Sequence, residues 1–239
     1  MSLVGCSFSP TGILYFGDQN NNVIYAFSPK TSVFVNFPVP LPNRGMAGVQ
    51  FHSDSLLYIM VSGSSAIHRM QRNGTFLPVL QLPAGRYPHG PSSCGGNVWF
   101  VENTANRVAY VAPDGALSEF LLPGTYTEPF STVCAPDGGV YFTISSGNRI
   151  GRIDAASYAI NTWTIPTLNS KPKGISLSAN GVCFAESNVN KIGCMPLGGG
   201  PITESTVPLR GAAPNKLVYG PDGGVWFTQS EISYVARWR

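Results

Sequence analysis

A chain of 239 residues that is 43% apolar has material for a sizeable core, and its 27 Gly and 20 Pro suit many short strands joined by tight turns better than helices. Only 11% of residues are charged, against roughly 25% in ordinary globular domains, and the net charge of +3 comes without a Lys/Arg run, which argues against nucleic acid or an anionic membrane as partner. No apolar run approaches the ~18 residues of a membrane span, and the opening Met-Ser-Leu-Val-Gly is not a basic region followed by an apolar one. The expectation is a soluble chain without signal peptide or membrane insertion, cytoplasmic or part of a virion or other particle.

Taken in order, the chain repeats itself. An aromatic or apolar pair stands at Tyr15-Phe16, Tyr58-Ile59, Trp99-Phe100, Tyr141-Phe142, Cys183-Phe184 and Trp226-Phe227, in steps of 43, 41, 42, 42 and 43 residues. A second landmark keeps the same register: Asn22-Val23-Ile24, Ser65-Ala66-Ile67, Asn106-Arg107-Val108, Asn148-Arg149-Ile150, Asn190-Lys191-Ile192 and Ser233-Tyr234-Val235. Between the two lie Gly, Asn, Asp and Ser, the chemistry of hairpin turns.

Each repeat reads as four strands. The first runs into an Asp/Gly turn, as in Gly174 to Ser178; the second carries the aromatic pair; the third carries the Asn-x-Ile run. The fourth ends in an apolar-Pro pair, such as Leu82-Pro83, Ile165-Pro166 or Val207-Pro208, where an outer strand tolerates a residue that cannot donate to a ladder. Four antiparallel strands at this period predict an all-β fold, a six-bladed β-propeller in one domain, 1–239, with blades near 1–43, 44–86, 87–128, 129–170, 171–211 and 212–239. The sixth repeat stops after its third strand, so its outer strand is expected to be missing. An open edge invites strand addition, which makes Tyr234, Val235, Arg237, Trp238 and Arg239 a candidate interface, although the two arginines equally read as charges that discourage pairing.

Single residues add less. The five cysteines are an odd count without C-x-x-C spacing, and neither a zinc site nor a disulfide framework is expected; Cys183, in the aromatic column, reads as a small buried hydrophobe. His52 and His68 have no Cys, His or acidic companion at ligand spacing and read as structural. Gly198-Gly199-Gly200-Pro201 is expected to be a hairpin turn, because no helix follows it to make a phosphate cradle. Asn73-Gly74-Thr75 reads as a turn. No G-x-S-x-G, P-loop or H-E-x-x-H motif is present.

The segments Pro221 to Thr228, Pro-Asp-Gly-Gly-Val-Trp-Phe-Thr, and Asn148 to Ile153, Asn-Arg-Ile-Gly-Arg-Ile, resemble the virginiamycin B lyase family of propellers and, more loosely, the NHL-type propellers. The resemblance spans essentially the whole chain. It implies a magnesium-assisted lyase that opens a cyclic depsipeptide with His and Glu residues at the mouth of a central funnel; members typically have seven blades. The Pro-His-Gly segment that enters the first strand of a blade is matched once, by Pro88-His89-Gly90, and the same column elsewhere holds Met46, Phe130, Lys173 and Asn215. Tyr87 stands where the family carries a metal-binding Glu, and Glu128 holds the corresponding place before Phe130. The Glu that follows Trp-Phe-Thr survives as Glu102 and Glu186, among Asp18, Val61, Ile144 and Gln229.

Ionisable residues expected at the funnel are therefore His89, Glu102, Glu128, Lys173 and Glu186. His89 is the candidate acid–base, and Glu102 with Glu186 are the candidate ligands of a Mg²⁺ ion; alternatively all line a water-filled channel. Because the scaffold is kept while the second histidine is missing, the favoured expectation is a non-enzymatic binding or assembly module with a protein partner or with itself, such as a virion or tail subunit. The alternative is a Mg-dependent lyase of the family type.

Overall fold

The computed structural model describes residues 3–40, 45–125, 127–220, 222–231 and 234–238. The fold is the expected six-bladed β-propeller, six antiparallel meanders; among the described residues the last has three strands, and the one helical turn is a 3₁₀ turn at Ser62–Ser64. The chain forms two compact units, Met1–Glu119 and Phe120–Arg239.

In the first unit, blade one is β1 (Leu3–Phe8), β2 (Leu14–Asp18), β3 (Val23–Ser28) and β4 (Val33–Pro38). Blade two is β5 (Met46–Phe51), β6 (Leu56–Val61), β7 (Ala66–Gln71) and β8 (Leu80–Gln81), and blade three is β9 (Pro88–Cys94), β10 (Asn97–Glu102), β11 (Arg107–Val111) and β12 (Leu117–Leu121). Neighbouring blades stack through β1 on β5 and β5 on β9. The approach is close: a Cβ added to Gly48 would stand 2.6 Å from Pro91 Cδ, so the side chain is left out where β5 meets β9. Tyr58, Met60, Ile67, Val98 and Phe100, all fully buried, fill the seam between blades two and three. Each such side chain contributes about 1.5–3 kcal/mol by leaving water.

The second unit repeats the plan. Blade four is β13 (Pro129–Cys134), β14 (Gly139–Ile144), β15 (Arg149–Asp154) and β16 (Ile160–Thr164). Blade five is β17 (Pro172–Ser178), β18 (Gly181–Glu186), β19 (Lys191–Pro196) and β20 (Thr203–Thr206), and blade six is β21 (Pro214–Tyr219), β22 (Val225–Gln229) and β23 (Tyr234–Trp238). Here β13 meets β17 and β17 meets β21. A Cβ at Gly174 would lie 2.2 Å from Asn215 O, the same close approach as at Gly48. Between blades, hydroxyls at the end of the second strand or just past it reach the next first strand: Thr143 Oγ1 donates to Lys173 O at 2.6 Å, as Ser62 Oγ donates to Pro88 O at 2.8 Å in the first unit.

The Asn-x-Ile landmark has a backbone cause. Asn22, Ser65, Asn106, Asn148 and Asn190 all hold left-handed φ values between 49° and 58° in the turn between second and third strands, a conformation that Asn adopts more easily than other non-glycine residues. Asn148 Nδ2 also donates to Ile165 O and Thr167 O, both at 3.0 Å, which ties the end of β16 to the turn. Asn190 does the same for Val207 O and Leu209 O at 3.0 and 2.7 Å.

Two expectations for single residues met different outcomes. His52 is structural: it is 3% exposed, with Nδ1 2.6 Å from Ser93 Oγ and Nε2 2.9 Å from Gly96 O, so Nε2 carries the proton and β9 is tied to blade two. Cys183 is not a lone buried hydrophobe. It stands directly opposite Cys194 on β19 with the Cα atoms 4.1 Å apart, and the two form a disulfide. Sequence spacing carries no such signal, because an 11-residue separation becomes a direct contact only once the hairpin register is set.

Candidate functional site

In every blade the register of the first strand against the second slips near its start: at Val4/Cys6, Met46/Gly48, His89/Ser92, Pro129/Thr132, Pro172/Ile175 and Pro214/Leu217. Such bulges bend the strand and re-aim a side chain. The residue ahead is bent as well. Tyr87, Glu128, Lys171 and Ala213, each followed by proline, have φ of 48°, 59°, 46° and 45°. A non-glycine residue in this region costs roughly 1–2 kcal/mol, and strain of this kind concentrates at functional sites. The carbonyls of Tyr87, Glu128 and Ala213 accept backbone N–H groups of Asn103, Ser145 and Ser230 at 2.9–3.2 Å, which holds the bend.

In the first unit this device presents His89. It lies on β9 opposite Val101, half-buried, between the buried Pro88 and Gly90 and after the exposed Tyr87. Glu102 ends the neighbouring β10 but is wholly buried. Its carboxylate lies 3.2 Å from Arg86 Nε, which is also 2.7 Å from Glu119 Oε1 on β12. Burial, then the hydrogen bond and negative charge of Glu119, push the Glu102 carboxyl up to about 8 against the pull of Arg86, so it holds a proton at neutral pH.

In the second unit Glu128 is exposed and accepts a hydrogen bond from Ser146 Oγ. Lys173, half-buried, occupies the His89 column in blade five. The same column in blade four is Phe130, over whose ring Lys216 Nζ lies at 5.1 Å. Glu186 is wholly buried at the end of β18. Burial, then the hydrogen bond and charge of Glu204, push it up to about 8. Glu204 is held low instead: it accepts from Thr167 N at 3.0 Å and Thr167 Oγ1 at 2.9 Å, with Lys191 Nζ at 3.5 Å. Glu186 carries the proton and donates it to the ionised Glu204.

The column of Glu102 and Glu186 is interior in all six blades: Asp18, Val61, Ile144 and Gln229 are likewise no more than 1% exposed. The two glutamates are thus fixed inside their own blades, not on a wall open to solvent. They do not fit a magnesium site, since a protonated carboxyl hydrogen-bonded to another carboxylate has no charge to offer a hard cation. Among the described residues no three His, Cys, Asp or Glu side chains gather as metal ligands. Sequence reasoning missed Arg86, Glu119 and Glu204, the partners that decide the state of the buried pairs; a charged residue at matching places in repeats three and five was the available signal.

At the proposed interface, Tyr234 and Val235 are 64% and 66% exposed on β23. Arg237 is held by Asp222 at 2.5 Å, and Trp238 is half-buried. Arg239 lies outside the described residues. No helix of the described residues is long and apolar enough to cross a membrane.

The chain belongs to the virginiamycin B lyase family, whose model matches residues 2–239. It is 32% identical over 160 residues to a virginiamycin B lyase of Nocardia farcinica (strain IFM 10152), a match that takes in 66% of this chain and 54% of the relative. The chain thus spans about half the length of that curated relative. Virginiamycin B lyase from Staphylococcus aureus, in its selenomethionine-substituted crystal structure, is 25% identical with a TM-score of 0.90, covering 99% of this chain and 83% of that one. A streptogramin B lyase structure has the same TM-score at 23% identity, over 99% of this chain and 82% of the other, and there the likeness is one of fold.

Proposed function

We propose that this member of the family is a lyase acting on a cyclic depsipeptide or a related ester ring, with His89 as the residue that moves the proton. The observation that carries this reading is the setting of His89, a half-buried imidazole on a bulged first strand, behind a left-handed residue and inside Pro88-His89-Gly90. The relatives are named as virginiamycin B lyases, and the family resemblance adds that such a substrate is a cyclic depsipeptide.

In a lyase opening of an ester ring, a base removes a proton from the carbon next to the one bearing the ester oxygen. The carbon–oxygen bond breaks, its electron pair leaves with the carboxylate, and a carbon–carbon double bond forms. No water is consumed. Imidazole suits the step because it exchanges a proton near neutral pH. A divalent cation, when bound, would polarise the ester carbonyl; Glu102 and Glu186 are not its holders.

The test is incubation with a type B streptogramin followed by mass spectrometry. A linear product of unchanged mass that disappears in His89→Ala supports the reading. A product heavier by one water makes the protein a hydrolase, and no turnover by the native chain sinks the proposal. The second reading, a non-enzymatic binding or assembly module such as a particle subunit, is favoured by one observation, the exposed Tyr234 and Val235 on β23. Light scattering that finds only monomer, without and with co-expressed neighbours, removes it.

A further inference from the structure

A cavity of about 380 Å³ lies between blades five and six, and the repeat explains why it is there. In blade four the aromatic-column residue Tyr141 donates its hydroxyl to Asp137 at 2.8 Å, and Arg152, opposite it on β15, pairs with the same Asp137 at 3.1 Å and lies 5.8 Å over the ring. The Tyr141 oxygen also accepts the Gly198 N–H of blade five at 2.6 Å, which closes the seam between the two blades. Blade six repeats the clamp with Asp222, Trp226 and Arg237, and in blade two Tyr58 donates to Asp54 with Arg69 opposite it on β7.

In blade five all three members are replaced at once. The same positions hold Ala179, Cys183 and Cys194, and the two cysteines are joined in a disulfide across β18 and β19. A flat ring, its carboxylate and its guanidinium are exchanged for a methyl group and a compact sulfur bridge. The volume that the ring filled in blade four stays empty. Met195, Val225 and Trp238 wall it, the disulfide lies against it, and Asn180 and Thr203 bring polar groups to it.

We propose that this cleft is a binding site for a small neutral aromatic ligand, a phenol-sized ring seated where blade four carries the ring of Tyr141. The volume falls at the lower end of the range for small-molecule sites, which are mostly apolar with a few placed polar groups. Loss of the carboxylate and the guanidinium together leaves no charge to satisfy, so a neutral ring is preferred over an anion or a cation. Asn180 and Thr203 supply the hydrogen-bonding capacity that Asp137 supplies to the Tyr141 hydroxyl. The site is independent of His89 and of the proposed lyase reaction.

The probe is p-cresol, the tyrosine side chain without its backbone, titrated into the native protein and followed by NMR at the Trp238 indole N–H and the Met195 methyl. The expected result is saturable shifts at these two groups, with affinity weakened at least about tenfold in a variant that rebuilds the clamp, A179D/C183Y/C194R. Should that variant fail to fold, Thr203→Trp, at an exposed position of β20, closes the mouth and is expected to abolish the shifts. Linear, unsaturable shifts, shifts that spare Trp238 and Met195, or binding that persists in the closed variants would overturn the proposal.

Discussion

Glu186 reaches Glu204 only because Gly193 has no side chain: a Cβ at Gly193, which stands opposite Glu204 on β20, would lie 2.7 Å from Glu186 Oε1 and 2.4 Å from the ring of Phe184. A proton is therefore built into the interior of blade five, and the pair Glu102–Glu119 builds another into blade three.

The consequence is a stability that falls as pH rises from about 4.5 to about 8. Glu102 and Glu186 are both raised from the ordinary glutamate value of 4.5 to about 8, so the folded chain holds protons that the unfolded chain has lost. Their contribution is full below the unfolded value and disappears as pH rises through about 8. Glu204, held low, works in the opposite sense and weakens the fold only in acid. Between pH 6 and pH 9 the native protein is expected to lose on the order of 5 kcal/mol, the two carboxyls sharing it about equally. Glu186→Gln, which mimics the protonated form, removes part of that slope. Urea denaturation at the two pH values measures it, and a slope identical in native and variant would sink the assignment.

Asn148 is the hinge pin of blade four. It holds φ at 51°, donates to two carbonyls beyond β16, and its Oδ1 accepts Ser170 N at 2.8 Å and Ser170 Oγ at 2.7 Å. Asn148→Ala loses these bonds and pays for a left-handed Cβ, an expected cost of roughly 2–4 kcal/mol. Asn148→Gly removes the conformational part alone and should recover about 1 kcal/mol of it. Equal losses for the two variants would mean that backbone conformation plays no part.

The repeat made the blades legible because two landmarks, the aromatic pair and the Asn turn, keep one register through all six copies. Both are local consequences of strand and turn chemistry, which a sequence displays directly. The state of Glu102 and Glu186 was not legible. It depends on Glu119 and Glu204, which stand two strands away within the same blade and become neighbours only across an intervening strand. The disulfide was hidden for the same reason: Cys183 and Cys194 meet through hairpin register, and the odd count comes from Cys6 alone, since Cys94 and Cys134 are disulfide-bonded too. His89 was legible as a residue, through Pro88-His89-Gly90, but the bulge and the left-handed Tyr87 that present it are properties of the folded strand.

Separating the imidazole from the buried acid gives a test of where the chemistry lies. His89→Ala is expected to lower depsipeptide ring opening by about 10²–10⁴-fold, the usual worth of a positioned acid–base group. Glu102→Gln, which keeps the neutral shape beside Arg86 and Glu119, is expected to leave turnover within about threefold while flattening the fall of stability below pH 8. Rates of linear product formation for both variants at one pH decide the matter. A Glu102→Gln loss as large as that of His89→Ala would move Glu102 into the reaction.

The Cys183–Cys194 bridge closes a short loop within one hairpin, 11 residues apart. Chain entropy for a loop of that size gives an expected stabilisation of roughly 2–3 kcal/mol, because the unfolded chain is the state that the bridge restricts. Blade five has lost the Asp–aromatic–Arg clamp that braces blade four, so the bridge takes over the work of holding β18 against β19. The double variant C183S/C194S is expected to lose that amount in urea denaturation, and native protein unfolded with a reductant present should lose more, because Cys94 and Cys134 are disulfide-bonded as well. The reductant effect that persists in the double variant reports the bonding of Cys94 and Cys134, and a double variant as stable as the native protein would sink the assignment. If neither treatment changes the midpoint, blade five is braced by its core alone, through Phe184, Ile192 and Met195.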